Sequence, residues 1–182
     1  MRINFHGQVV DEQEIQVGFI GCGSHAFRNI YPVFQYAPIK LVAVCDLQID
    51  RAREFTQRFA AGRAYANYHE MLHTEILDAV FIVTIYYETG RPKYPPITVD
   101  CLNAGCNVWL EKPPAATVAE IELMQAAAER NKKQVSVGFK KMFFPANEKA
   151  KELIDDPEFG MPVLATLQYP QYLPTVQEFT EY

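Results

Sequence analysis

Short β-branched apolar runs alternate along the chain with segments in which apolar residues recur at helical spacing. The runs are Ile15–Ile20, Leu41–Cys45, Ala79–Val83, Asn107–Leu110 and Gln134–Gly138. Each is nearly continuous in apolar residues, as befits strands covered on both faces. Between them lie helical candidates near Ser24–Tyr36, Asp50–Ala60, Tyr68–Thr74, Pro96–Ala104 and Val118–Asn131. The alternation predicts an α/β fold, a doubly wound parallel sheet with crossover helices. Asp50 reads as the N-cap of its helix and Gly105 as the glycine that ends the next-to-last one. Thr117 with Glu120 reads as a capping box, and Pro32 should kink the first helix or shift its start. Beyond Pro145 the pattern predicts a helix near Asn147–Ile154 and a strand over Pro162–Tyr169.

The turn after the first run is Gly21-Cys22-Gly23-Ser24-His25-Ala26. Between a strand and a helix this is a dinucleotide-binding pattern, which makes the predicted fold a Rossmann one. Gly21 allows the tight turn, Gly23 lets the backbone approach a pyrophosphate, and Ala26 is small enough for close helix–strand packing. The helix start offers free N–H groups and its positive dipole end to phosphates. Asp46 ends the next strand, 20 residues after Ala26, where a carboxylate accepts the ribose hydroxyls. No arginine occurs until Arg51, so NAD is expected rather than NADP, whose 2′-phosphate would meet the Asp46 charge unneutralised.

Composition narrows the partners. The 182 residues carry 17 Lys+Arg against 22 Asp+Glu, a net charge of −5. That argues against nucleic acid or an anionic membrane, both of which reward a basic face. No stretch approaches the roughly 18 consecutive apolar residues of a membrane span, and residues 1–14 lack the apolar core of a signal peptide. Cys22, Cys45, Cys101 and Cys106 read as buried free thiols of a reducing compartment, so a cytoplasmic location is expected.

A further element ends the Asn107–Leu110 run: Val108-Trp109-Leu110-Glu111-Lys112-Pro113-Pro114. Together with the Gly21 loop, Val44-Cys45-Asp46, Asp78-Ala79-Val80, Ala104-Gly105 and Gly138-Phe139, it makes residues 15–169 resemble the N-terminal domain of the glucose–fructose oxidoreductase / inositol dehydrogenase / MocA family. The resemblance implies hydride transfer between nicotinamide and a secondary alcohol of a sugar, inositol or related polyol. It assigns Lys112 as the catalytic lysine that holds the substrate hydroxyl, and Glu111 as the group that orients the lysine or cofactor. It implies cofactor contacts from Gly21, Gly23, Ser24, His25, Ala26, Asp46, Thr84, Tyr94, Glu111 and Lys112, and a cis peptide before Pro113. A fixed ammonium suits the role, since it stabilises alkoxide character as hydride leaves carbon. The alternative reading is a non-catalytic dinucleotide-binding or regulatory module.

The chain departs from the family pattern at three points. Tyr94 stands where many members have histidine, 11 residues before Gly105, and the loop Ile85–Lys93 is longer than usual. Lys140 and Met142 replace the usual Asn and Arg after the last strand, which makes Lys140 a candidate substrate contact. The family's second α+β domain should run for well over a hundred residues, yet Tyr182 is the last residue. The expected organisation is therefore an extension over residues 1–14, a dinucleotide-binding domain over 15–158, and only the start of a substrate domain over 159–182. Such a fragment should bind cofactor better than it catalyses. Apolar residues near Val163–Tyr169 could then pair between chains, which leaves a homo-oligomer open.

One motif points elsewhere. His69-Glu70-Met71-Leu72-His73 matches the two-histidine helix pattern of zinc peptidases. With only His6 and His25 as further histidines, the segment reads as a surface helix with Met71, Leu72 and Ile76 inward, and no metal is expected.

Overall fold

The computed structural model describes residues 2–3, 9–10, 14–168 and 175–176. They fall into two units, Met1–Phe139 and Lys140–Tyr182.

In the first unit a short antiparallel pair, β1 (Arg2–Ile3) and β2 (Val9–Val10), precedes the main sheet. The sheet comprises β3 (Ile15–Ile20), β4 (Ile39–Cys45), β5 (Arg63–Tyr65), β6 (Ala79–Ile82), β7 (Asn107–Leu110) and β8 (Val135–Val137). All six are parallel, in the order β5-β4-β3-β6-β7-β8. Counted from the first strand of the sheet this is 3-2-1-4-5-6, the doubly wound dinucleotide-binding order. The predicted runs coincide with five of these strands to within two residues. The sixth, β5, was not expected: its three residues place only Tyr65 in the core and hydrogen-bond to β4 alone, too little apolar signal for a run.

Alternate residues feed two cores. Ile20, Val80, Ile82, Val108 and Leu110 face α2 (Tyr68–Thr74), α3 (Tyr94–Asn103) and α4 (Val118–Asn131), whose Met71, Leu102 and Met124 complete that layer. Val17, Phe19, Leu41 and Val44 face the opposite way, onto Ala26, Ile30 and Tyr31 and onto Ala52 and Phe55 of α1 (Ile49–Phe59). Leu41 and Val44 share a face because the β3 register skips Val42. The freed Val42 carbonyl accepts from Gly62 N at 2.9 Å. Such a bulge shifts the strand's alternation by one residue.

The first helix differs from a regular one. Ala26–Ile30 form a π turn, closed by Tyr31 N–H on Ala26 O, and Tyr31–Tyr36 continue as a 3₁₀ helix. Pro32 has no N–H for an α-helical bond to Arg28, so the ladder widens before it and restarts after it. Thr117 and Glu120 form the expected capping box, and Gly105 has φ +86° at the end of α3. Gln48, not Asp50, is the N-cap of α1; Asp50 lies in its first turn, where a carboxylate still meets the positive helix end. Ile76 is exposed rather than inward, because α2 ends at Thr74.

In the second unit a 3₁₀ turn over Lys140–Phe143 leads to α5 (Pro145–Asp155) and another turn over Pro157–Phe159. The strand expected over Pro162–Tyr169 does not form in its described part. Residues 162–168 have no ladder partner among the described residues, and Val163 and Leu164 are exposed; Tyr169 lies outside the described residues. A strand's apolar pattern cannot make a strand without hydrogen bonds to a neighbour.

Candidate cofactor and catalytic site

The strand order reverses at β3, so the turns after β3, β4, β6 and β7 open together at the carboxyl end of the sheet. Gly21 is wedged there: its N–H donates to Cys45 O at 2.8 Å and its φ is +103°. A Cβ on Gly21 would lie 2.0 Å from Val83 O, so no side chain fits. Gly23 is the reverse case, with nothing within 4 Å of a Cβ position. Its face is open, as a backbone approached by a ligand must be. Ser24 and His25 start the helix and are exposed, whereas Ala26 is fully buried against the sheet.

Asp46 ties this loop down. Oδ2 accepts from Cys22 N at 2.9 Å and Oδ1 from Gln48 N at 2.9 Å. Each carboxylate oxygen can accept a second donor, so ribose hydroxyls can still bind. Arg51 lies closer than its sequence position suggested, with Nη1 4.0 Å from Asp46 Oδ2. One turn of α1 brings it back beside the acid, so a guanidinium does accompany the carboxylate.

Thr84 follows β6, and its Oγ1 is buried without a hydrogen-bond partner among the described residues. Tyr94, at the start of α3, is buried and donates its hydroxyl to Thr84 O at 3.2 Å. Desolvation pushes the Tyr94 phenol well above its ordinary range, so it remains a neutral donor. Its hydroxyl thus supports the Thr84 main chain.

Glu111 is buried at the end of β7 and meets two donors. His25 Nε2 lies 3.0 Å from Oε1, and Lys112 N donates to Oε2 at 3.1 Å. Gly138 leaves room behind it: a Cβ there would lie 3.3 Å from Oε1 and 2.8 Å from the Trp109 ring. The Lys112 side chain is exposed, the Lys112–Pro113 peptide is cis, and Tyr86 donates its hydroxyl to Lys112 O at 3.4 Å. Tyr86 and Asn29, which donates to His25 Nδ1 at 3.1 Å, carry no sequence signal of their own. Lys140 is exposed and belongs to the second unit.

The two histidines of the peptidase-like motif stand apart from this mouth. His69 Nε2 is 3.9 Å from Asp100 Oδ2, which also accepts from Tyr68 Oη at 2.8 Å. His69 and Asp100, with Leu72, His73, Asn103 and Ala104, line a hollow of about 340 Å³. No group of three or more His, Cys, Asp or Glu among the described residues is disposed to hold a metal ion.

Three features of the mouth suit a dinucleotide: the open Gly23 face, the unpaired Thr84 hydroxyl, and the unused acceptor capacity of Asp46. Comparison with known proteins agrees. The profile of the oxidoreductase family with an NAD-binding Rossmann fold matches residues 15–139, and the chain belongs to that glucose–fructose oxidoreductase / inositol dehydrogenase / MocA family. It is similar to inositol 2-dehydrogenase of Rubrobacter xylanophilus, at 30% identity over 85% of this chain and 43% of the relative. It is also similar to inositol 2-dehydrogenase of Salmonella typhimurium, at 28% identity over 82% and 44%. Among solved structures, a dehydrogenase from Chromobacterium violaceum matches with a TM-score of 0.72 and 29% identity, over 82% of this chain and 43% of that one. The chain thus spans less than half the length of these relatives. Its cofactor is NAD(P). No helix among the described residues is long and apolar enough to cross a membrane.

Proposed function

We propose that the whole protein is an NAD(P)-dependent oxidoreductase that interconverts a secondary alcohol of a sugar, inositol or related polyol and the corresponding ketone by hydride transfer. The observation that carries this reading is the position of Lys112. Its ammonium is exposed at the carboxyl end of β7 and has no ion-pair partner among the described residues, while its main chain is bound to the buried Glu111. Bound NAD(P) supplies the hydride acceptor or donor at the nicotinamide. Lys112 donates a hydrogen bond to the substrate hydroxyl and stabilises alkoxide character on that oxygen. Gly23, Ser24 and His25 line the phosphate path, Asp46 takes the ribose hydroxyls, and Thr84 offers its unpaired hydroxyl to the cofactor. Lys140 is proposed as a substrate contact, and residues 159–182 as the start of a substrate domain. Its relatives' names support a polyol substrate.

NAD is the preferred dinucleotide in this reading, because a 2′-phosphate on a ribose held by Asp46 would meet the carboxylate's charge. Arg51 tempers that preference. Four unpaired cysteines, all buried, support a reducing, cytoplasmic setting. In the whole protein, Lys112→Ala should lower kcat for myo-inositol about a thousandfold, consistent with losing a charge-assisted contact to the reacting oxygen, while NADH affinity stays within about twofold. Turnover equal to the parent's would overturn the reading.

A further inference from the structure

The lysine turn and the phosphate loop belong to strands at different places in the sheet, yet one side-chain chain joins them. His25 Nδ1 faces Asn29 Nδ2 at 3.1 Å, and the same Asn29 Nδ2 donates to His25 O at 3.3 Å. Both partners are acceptors only if that Asn29 atom is the amide nitrogen, so Nδ1 is unprotonated. The ring proton therefore sits on Nε2 and is donated to Glu111 Oε1 at 3.0 Å. Glu111 Oε2 in turn accepts from Lys112 N at 3.1 Å. The Glu111 side chain is 11% exposed, so its carboxylate needs both donors to remain where it is.

We infer that His25 is a positioning residue for Lys112: through Glu111 it fixes the lysine's main chain to the phosphate loop, so that cofactor on the loop sets the lysine. The inference rests on the reading of Lys112 as the group that meets the substrate hydroxyl. His25 lies between Ser24 and Ala26, in the segment whose N–H groups face the phosphate path. Ligand that immobilises this segment immobilises Glu111 with it. By reciprocity, a firmly held Glu111 strengthens cofactor binding. Without the His25 donor, Glu111 Oε1 has no hydrogen-bond partner among the described residues. The carboxyl group, no longer tethered at that oxygen, then turns about its own side-chain torsions and releases the Lys112 amide.

The test uses this chain and measures Lys112 amide hydrogen exchange by NMR, with NADH binding followed separately by energy transfer from Trp109, the single tryptophan. His25→Leu should speed Lys112 exchange about tenfold, the loss expected for one charge-assisted hydrogen bond, with Val80 and Val108 amides unchanged. His25→Gln, whose amide N–H can replace Nε2–H, should restore parental exchange. NADH should slow Lys112 exchange in the parent and in His25→Gln but not in His25→Leu. Unchanged Lys112 exchange in His25→Leu, or a glutamine variant no better than the leucine one, overturns the inference. If His25→Leu does not fold, His25→Asn, with an amide too short to reach Glu111, takes its place against His25→Gln. Absence of energy transfer in the parent would count against the cofactor reading, while the unliganded comparison would still decide the relay. Failure of Lys112 as the catalytic group shows only in the turnover of Lys112→Ala.

Discussion

Asp46 Oδ2 accepts the main-chain N–H of Cys22 at 2.9 Å, so the acid that would hold the ribose also holds the phosphate loop. Asp46→Ala should therefore weaken NADH binding by about 10- to 100-fold, the cost of a lost charged hydrogen-bond acceptor. It should also free Arg51, now 4.0 Å from the carboxylate, to meet a 2′-phosphate. The ratio of NADPH to NADH affinity should rise at least several-fold. Titrations of both nucleotides against Trp109 emission measure this, and an unchanged ratio would remove Arg51 from the argument.

The two loop glycines should fail in different ways. Gly21→Ala places a Cβ 2.0 Å from Val83 O at a positive φ, so it should cost about 3 kcal/mol of folding stability. Gly23→Ala meets nothing within 4 Å. It should leave urea unfolding within about 0.5 kcal/mol of the parent, as for other uncrowded surface changes, yet lower NADH affinity at least tenfold by intruding on the phosphate path. Equal NADH affinity in Gly23→Ala would show that the cofactor does not approach that face.

Thr98 and Thr84 each bury a hydroxyl with no partner among the described residues. Thr98 is fully buried in α3. Thr98→Val should raise stability by about 1 kcal/mol, because an unpaired polar atom is exchanged for a methyl of the same shape. Cofactor affinity should not change. Thr84→Val should stabilise similarly but weaken NADH binding. If both variants bind NADH equally well, the Thr84 hydroxyl has no cofactor role.

Stability should fall in alkali through the thiols. Burial pushes Cys22 and Cys45 from an ordinary value near 9.0 up to about 12. Between those values the unfolded thiols have lost protons that the folded ones retain. Their contribution is thus whole below pH 9 and is lost as pH rises toward 12. Each should contribute a slope of about 1.4 kcal/mol per pH unit across that window. Urea midpoints at pH 8, 9.5 and 10.5 should show the decline, and Cys45→Ala should reduce its slope. At neutral pH both thiols should resist iodoacetamide until the protein unfolds. Rapid alkylation of the folded chain would contradict their burial.

Much of this molecule is written in local pattern. Ile15–Ile20 and Asn107–Leu110 were legible residue for residue, because a buried parallel strand needs an unbroken apolar run. The Thr117 cap was legible because both partners lie within one helical turn. The expected strand over Pro162–Tyr169 did not form in its described residues for the converse reason: its pattern is right, but no described strand pairs with it.

The alternation behind the doubly wound fold, the glycine turn, the acid after the next strand and the Glu111-Lys112-Pro113 element could all be read from residues close together in the chain. How these parts are joined follows from packing between distant segments. His25 and Glu111 are 86 residues apart, and they meet because the parallel strands β3 and β7 both end at the carboxyl end of the sheet. The same packing turned Tyr94 inward onto Thr84 and added β5 at the sheet edge. Hydrophobic periodicity records which face of an element is buried; it carries no record of which polar group from another element will stand opposite. That depends on strand order and on the spacing of turns at the sheet's end.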